Sequence, residues 1–421
     1  MSSTTEASAS SRTVTTRGAQ LASAGRSRRI VQLHVVGFRS VVDATLAPGR
    51  LCALVGEAQV GKSNLLAAVN ALLDESAGLV PTDATTLAES PILIEGTLGT
   101  GERLTLEVSE SGVSRTGEPP PVLYLPASER ATSLVAAEPD DPLAEHALGL
   151  FREALDEQGR GMPTASGTLP AASLVDGLED CCVLGIRGLV LLIEEPELYL
   201  RPQAQRYFYR LLRTFAQGGN QVLYTTHSPN LLNIARLDEL AIVSFTEHGT
   251  RALQPEALAP GEDFRVMTEF DAERSELFLA RAALLVEGQT EKLALPFAFA
   301  ACGFDVDREG ISIVECGGKP NILLFGRACR AAGIPFVALH DRDRHDVVLN
   351  EAIRGVAGAD RTVVLTPDFE HVAGLRGGQH KPERAWRRFA RIGRDDLPEP
   401  LRDAVELVVE LARARDDGGL R

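Results

Sequence analysis

The sequence predicts an α/β chain in which a mixed sheet with helices comes first and a Rossmann-like parallel sheet follows. Three observations carry this. A glycine-bounded loop, Gly56-Glu57-Ala58-Gln59-Val60-Gly61-Lys62-Ser63, lies between an apolar strand, Leu51–Val55, and a helical period from Asn64 to Leu73. The run Leu189–Ile193 is apolar without interruption, as a strand covered on both faces must be, and it gives way at once to Glu194 and Glu195. From Ala283 to about residue 370, apolar strands alternate with helical periods, the pattern of parallel crossover units.

The remaining elements follow in order. Residues 30–38 alternate like a half-buried strand, and Ile92 to Val108 reads as a hairpin turning at Gly99-Thr100-Gly101. Residues 110–121, rich in Gly, Pro and Ser, read as a loop, and Val122–Pro126 as a strand. Helices are expected at 142–157 and 202–217, strands at 221–225 and 240–245, and a linker at 249–263. Later strands are expected at 311–316 and 335–339, a helix at 320–332, and a last helix after Pro398.

Composition narrows the class. The chain has 421 residues, 44% of them hydrophobic, enough for two or three domains. No apolar run reaches about 18 residues, so no membrane span is expected. The net charge of −15 argues against a uniformly basic coat but leaves room for a local basic surface. None of the six cysteines forms a C-x-x-C pair, so neither zinc nor a disulfide framework is expected, and a reducing cytoplasm fits. Residues 1–28 are rich in Ser, Thr and Ala with one acid, Glu6, and read as a disordered tail. Only four lysines occur, Lys62, Lys292, Lys319 and Lys381, against an arginine-rich background.

The first loop has the G-x-x-x-x-G-K-S form that binds phosphates. Gly56 and Gly61 let successive N–H groups face the anion, Lys62 reaches the outer phosphates, the Ser63 hydroxyl ligates Mg²⁺, and the helix opening at Asn64 adds its positive end. Glu194 can hold Mg²⁺ through water, and Glu195 can orient or deprotonate an attacking water. His227, in Thr225-Thr226-His227-Ser228 after another buried strand, can sense the γ-phosphate.

A second centre begins where Leu284–Val286 runs into Glu287-Gly288, with Glu291 one helical turn on. Ile311–Cys316 ends at Gly317-Gly318-Lys319, and Pro335–Leu339 ends at His340-Asp341-Arg342-Asp343. Glu287, Gly318 and the Asp341/Asp343 pair are thereby placed at the carboxyl edge of one parallel sheet, where such sheets bind ligands. Hard oxygen donors of this kind suit Mg²⁺ or Mn²⁺, and two ions could serve phosphodiester cleavage.

On these residues the chain resembles ATPases of the ABC, SMC and RecF type. It is similar in particular to the OLD (overcoming lysogenization defect) family of ATP-dependent endonucleases. Phe38-Arg39-Ser40, Glu194-Glu195-Pro196-Glu197-Leu198-Tyr199-Leu200-Arg201-Pro202 and Thr226-His227-Ser228-Pro229 carry that likeness. The order Glu-Gly, Gly-Gly, Asp-x-Asp looks like a Toprim domain.

The resemblance implies an ABC-type P-loop ATPase domain at 29–250, a linker at 251–280, a Toprim nuclease domain at 281–395 and a terminal helix and tail at 396–421. It implies DNA as substrate and assembly as a homodimer or higher oligomer, with a helicase or a defence-system protein as a further partner and repair or anti-phage defence as the setting. A signature serine and glycine would be Ser166 and Gly167. Pro170 stands where a basic residue is common, which leaves room for slow or partner-dependent hydrolysis. Glu370 would complete a second metal site and Lys381 would stabilise transition-state charge. The rival is an ATP-gated DNA clamp or an ATP-sensing regulatory subunit without nuclease activity.

Overall fold

The computed structural model describes residues 28–79, 83–87, 91–109, 112–127, 139–159, 171–257, 272–343, 346–375 and 380–416. The expected tail lies outside them apart from Arg28, as do Ser166, Gly167 and half of the expected linker, residues 258–271. The chain divides into two units. The first holds the described residues to Leu231 together with Asp238–Ala252; the second holds Leu232–Leu237 and the described residues from Leu253 onward.

The first unit has two sheets. β1 (Ile30–Phe38), β2 (Val41–Leu46), β4 (Ile92–Leu98), β5 (Arg103–Ser109) and β6 (Gly112–Thr116) form an antiparallel sheet in the order β2-β1-β4-β5-β6. β3 (Leu51–Val55), β7 (Val122–Leu125), β8 (Val190–Glu194), β9 (Gln221–Thr226), β10 (Leu240–Thr246) and β11 (Gly249–Leu253) form the other, ordered β11-β10-β3-β9-β8-β7. β10, β3, β9, β8 and β7 run parallel. α1 (Lys62–Leu73) packs into both sheets: its Leu65, Leu66 and Val69 share a core with Leu33 and Val35 of β1 and with Leu54, Leu192 and Leu223 of the parallel sheet. That double burial explains why α1 is apolar around most of its circumference. α2 (Pro142–Gly159) packs on α3 (Ala171–Val183), and α3 on α4 (Pro202–Gln217).

Two stretches differ from the sequence expectation. β6 lies within 110–121, expected as loop; its residues are mostly exposed, so no alternation of burial marks it, and β5 recruits it through backbone pairing. β11 occupies the start of the expected linker. Its Gly249 and Thr250 are buried, and the Thr250 hydroxyl donates to Val60 O at 2.9 Å, a tertiary tie that local polarity conceals.

In the second unit β12 (Ala282–Val286), β13 (Ile311–Glu315), β14 (Phe336–Asp341) and β15 (Thr362–Leu365) form an all-parallel sheet ordered β13-β12-β14-β15. Ala282, Leu284 and Val286 share a core with α5 (Gln289–Ala301). α6 (Lys319–Ala331) and α7 (Val347–Ala357) pack on each other and on the sheet. Beyond β15 come α8 (Phe369–Val372), α9 (Lys381–Phe389) and α10 (Glu399–Asp416). α10 buries Leu401, Val405 and Val408 in the same core as Leu284. The terminal helix is thus part of this unit's packing. Among the described residues no helix is long and apolar enough to cross a membrane, and all six cysteines are free thiols.

Gln221 joins separate strands of the first unit. Its buried amide oxygen accepts the Ile30 N–H at 2.9 Å, and its nitrogen donates to Ile30 O and Gly49 O, both at 2.8 Å. Gln221→Met should strand these backbone groups at about 1–3 kcal/mol for each one left unsatisfied. The expected outcome is a lower urea midpoint for the first unit, seen by circular dichroism; an unchanged midpoint would contradict it.

Candidate functional site

Each unit presents one cluster of polar groups at the carboxyl ends of its parallel strands. In the first, the buried strand β3 ends at Gly56. A Cβ there would lie 2.1 Å from Val243 O, and one on Gly61 2.1 Å from the Thr250 hydroxyl and 2.7 Å from that of Ser40. Both positions also have positive φ, 157° and 99°, so the loop needs glycine for space and for conformation. Asn64 donates to Ser40 Oγ at 2.7 Å, and Ser40 meets Thr250 at 2.7 Å, so Asn64 ties the loop to its surroundings. Arg39 pairs with Asp83 at 2.8 Å beside it.

The Lys62 ammonium is folded over the loop, donating to Gly56 O at 2.9 Å and Glu57 O at 2.6 Å. Burial lowers its pKa to about 8, against the opposing pull of Glu195, Glu197 and Glu57. Ser63 is exposed at the helix start. Glu194 accepts the Ala127 N–H at 3.0 Å. It also hydrogen-bonds the Tyr124 phenol, whose pKa is raised by burial and then by that carboxylate.

Glu195 has a left-handed backbone, φ 42°, and its N–H donates to Thr225 O at 3.1 Å and Oγ1 at 3.0 Å. Such strain persists only where neighbours over-determine it. His227 Nε2 stands 3.8 Å from Glu195 Oε1. Burial and then Lys62 lower the imidazole's pKa, with Glu195 opposing, which favours the neutral ring. Glu197 accepts the His227 N–H at 2.6 Å, and burial raises its carboxyl. Tyr124 and Glu197 are site residues that the motifs did not single out for a role. Glu197 was in view within the quoted run; Tyr124 lies on another strand and has no local signal.

In the second unit the register Val286↔Leu339 sets Glu287 beside the end of β14, where its Oε1 accepts the Asp341 N–H at 2.7 Å. Asp341 Oδ1 accepts the Phe369 N–H at the start of α8, 2.8 Å away. Glu291 lies buried in the first turn of α5. Burial, then Glu287, push Asp341 up to about 7. Burial, then Asp341, Glu287 and Glu370, push Glu291 to about 7. Burial also raises Glu287, with the Asp341 N–H and Lys319 opposing.

Lys319 is 3% exposed in its side chain, donating to Asp341 O at 2.6 Å and Asp343 Oδ2 at 2.9 Å, with Glu287 Oε1 at 3.9 Å. Lys381 pairs with Glu370 at 2.6 Å, which raises the ammonium's pKa. Lys292, noted in the sequence beside Glu291, pairs with Glu273. Lys319 is therefore the central cation of this edge; its signal was the scarcity of lysine and its place after Gly317-Gly318.

The geometry brings together Glu287, Glu291, Asp341, Asp343 and Glu370. Among the described residues no three His, Cys, Asp or Glu side chains form a ready-made metal shell. The donor set nonetheless fits a divalent cation: it is all oxygen and partly buried, and burial first, neighbouring carboxylates second, raise Asp341 and Glu291 to about 7. The phosphate loop fits a nucleotide by its glycine-only cradle and helix start.

Fold and sites thus define an ATPase-type nucleotide-binding unit followed by a Toprim unit. Residues 278–343 match the family model described as overcoming lysogenization defect protein-like, TOPRIM domain. Residues 165–233 match an AAA domain, putative AbiEii toxin, type IV TA system. The OLD nuclease of Thermus scotoductus is 32% identical over 291 residues, 59% of this chain and 54% of that protein. The Old nuclease of Escherichia phage P2 is 29% identical over 161 residues, 37% of this chain and 28% of that one. The chain therefore spans about half the length of the Thermus relative and less of the phage one. The C-terminal region of the Xanthomonas campestris pv. campestris OLD protein superposes with TM-score 0.29 at 18% identity, covering 34% of this chain and 98% of that one. The likeness to OLD proteins drawn from the motifs is borne out.

A divalent cation held by Asp341 and Glu291 would have to displace their protons. With both near 7, Mn²⁺ affinity should rise between about pH 6 and pH 8 and level off above. The folded chain holds these protons more tightly than the unfolded chain, whose ordinary values are 3.8 and 4.5. Their contribution to metal-free stability is therefore full below pH of about 4 and lost as pH rises through 7. Calorimetric Mn²⁺ titrations across this range check the sign; a pH-independent affinity would refute it.

Proposed function

We propose that the chain is an ATP-binding and ATP-hydrolysing, divalent-metal-dependent DNA endonuclease. The observation that supports this most is the carboxylate edge, where five acids gather around Lys319 and Lys381. A passive clamp has no need to bury that much like charge. We assign ATP handling to 29–250, with 251–280 as linker, and phosphodiester cleavage to 281–395; the 396–421 segment is counted with the second unit through the packing of α10.

At the nucleotide site the loop N–H groups and Lys62 hold phosphates, and Ser63 and Glu194 would hold Mg²⁺. Glu195 sits where it can accept a proton from water, and neutral His227 beside it can donate to a phosphate oxygen. Signature residues Ser166 and Gly167 would serve the ATP of a second copy, which makes a homodimer the minimum assembly. At the second site Glu287, Glu291, Asp341, Asp343 and Glu370 would hold Mg²⁺ or Mn²⁺, which when bound activates water and stabilises the leaving oxygen. Lys319 holds the Asp341–Asp343 turn in place, and Lys381 supplies positive charge to the phosphate. The relatives named as nucleases support a nucleic acid as substrate, which we take to be DNA. Repair or anti-phage defence is the proposed setting, with a helicase or defence-system protein as a further partner.

A plasmid-cleavage assay with Mg²⁺ or Mn²⁺, with and without ATP, tests the nuclease. Cleavage should be lost in Asp341→Ala/Asp343→Ala. Intact DNA under every metal condition, with DNA binding retained, would replace this proposal with the ATP-gated clamp. For the first site, Glu195→Gln should keep ATP affinity and lower hydrolysis by about 10²-fold or more. Unchanged phosphate release in that variant would remove Glu195 from the reaction.

A further inference from the structure

α9 differs from its surroundings in a chain of net charge −15. Its inner face is apolar and fixed: Ala385 and Phe389 are buried, and Phe389 stacks on Phe369 with ring centroids 6.0 Å apart. Phe369 begins the short helix α8 whose first N–H donates to Asp341. One packed pair thus seats α9 beside the carboxylate edge. Its other faces are cationic. Lys381, Arg384 and Arg388 recur at i, i+3 and i+7, so they share one stripe.

That stripe begins at Lys381, on Glu370, and reaches Arg388, whose guanidinium lies 3.0 Å from where a Cβ on Gly374 would stand, in the turn after α8. Arg387 and Arg391 are exposed on the same segment. Trp386, the only tryptophan in the chain, 48% exposed, follows Arg387 round the helix on the side away from that stripe. One acid, Glu383, interrupts the cationic surface; it pairs with Arg387 at 2.6 Å, an exposed pairing that DNA phosphates could readily exchange for their own.

Structural needs do not account for this arrangement. The inner face already anchors the helix, and a large aromatic ring held half in water adds little to stability. Alternating arginines with an exposed ring is the chemistry that tracks a nucleic-acid strand: guanidiniums on phosphates, an indole against an unpaired base. We propose that α9 is the strand-binding surface of the second unit, leading an unpaired DNA strand from Trp386 across the exposed Arg387 and round to Arg388 and the carboxylate edge at Lys381 and Glu370. This rests on the nuclease proposal for the same unit and adds where the strand lies and that it is unpaired there.

The single tryptophan makes the test direct. The full-length chain is titrated, with Ca²⁺ in place of Mg²⁺ and Mn²⁺, with a DNA duplex carrying an unpaired tail and with the same duplex lacking it. Indole emission should be quenched by the tailed DNA and far less by the blunt duplex. Trp386→Ala should weaken binding of the tailed DNA about fivefold or more and leave the blunt duplex nearly unaffected. Arg387→Glu/Arg391→Glu should weaken binding at least tenfold and reduce the slope of log affinity against log salt by about one for each phosphate no longer neutralised.

Mn²⁺ affinity and melting temperature of both variants, matched to the parent, establish that the fold and metal site are intact. Tailed DNA bound in Ca²⁺ with no change in emission and equal affinity in both variants, and cleaved once Mn²⁺ replaces Ca²⁺, would overturn the strand-binding role and leave the nuclease standing. Equal quenching by the two DNAs would overturn the unpaired-strand assignment. Absence of DNA binding at any salt would overturn both proposals together.

Discussion

In each unit the chemistry begins where a fully buried parallel strand ends. β3, β8 and β12 are apolar along nearly their whole length because helices or a second sheet cover them, and no charge can sit within them. Polar residues enter at the first position beyond the covered stretch: Gly56 to Ser63 after β3, Glu194 at the end of β8, Glu287 after β12. Parallel pairing then aligns these exits along one edge. Glu194 pairs with Thr225 in register, and Val286 with Leu339. A slip of one residue in either pairing would reverse every side chain and disperse both clusters.

Gathering acids at a half-buried edge raises an electrostatic difficulty that the molecule meets in two ways. Protons stay on Glu291 and Asp341 up to near neutrality because desolvation disfavours their charged forms. Two lysines, Lys319 and Lys381, supply fixed positive charge from the starts of helices α6 and α9. The first is buried and constrains the Asp341–Asp343 turn; the second remains half in water, within reach of an incoming anion. An ammonium suits the first position because it is a compact charge with rotatable donors, whereas a guanidinium is a larger planar fork. Three of the four lysines in this arginine-rich chain occupy the two candidate sites, Lys62 at the phosphate loop and these two at the carboxylate edge.

Much of the candidate site was legible because it obeys local rules. The phosphate loop has fixed spacing between a strand and a helix, and the acids at Glu194, Glu287 and Asp341 directly follow apolar runs that declare themselves. Glu370 and Lys381 were reached through the family likeness, and the structure pairs them. What escaped was set by partners distant in sequence. Tyr124 meets Glu194 from a strand whose local pattern says nothing of a site. Lys319 was visible as a rare lysine after two glycines, but its role depends on Asp343 and Asp341, 24 and 22 residues on. β6 and β11 were missed because exposed or polar residues give no alternation, and only pairing with β5, or the buried Thr250 tie to the phosphate loop, makes them strands.

The sequence by itself determined the α/β class, the order of the two units, the phosphate loop and the acids at strand ends, because burial periodicity and backbone-bound motifs are local in the chain. The tertiary structure alone decided which acids share a proton-holding edge, that Lys319 and not Lys292 lies at its centre, that the terminal helix α10 completes a core, and that α9 leaves Arg387, Arg388 and its tryptophan exposed. Those outcomes depend on desolvation and on contacts across many residues, and neither exists until the strands have paired and the helices have covered them.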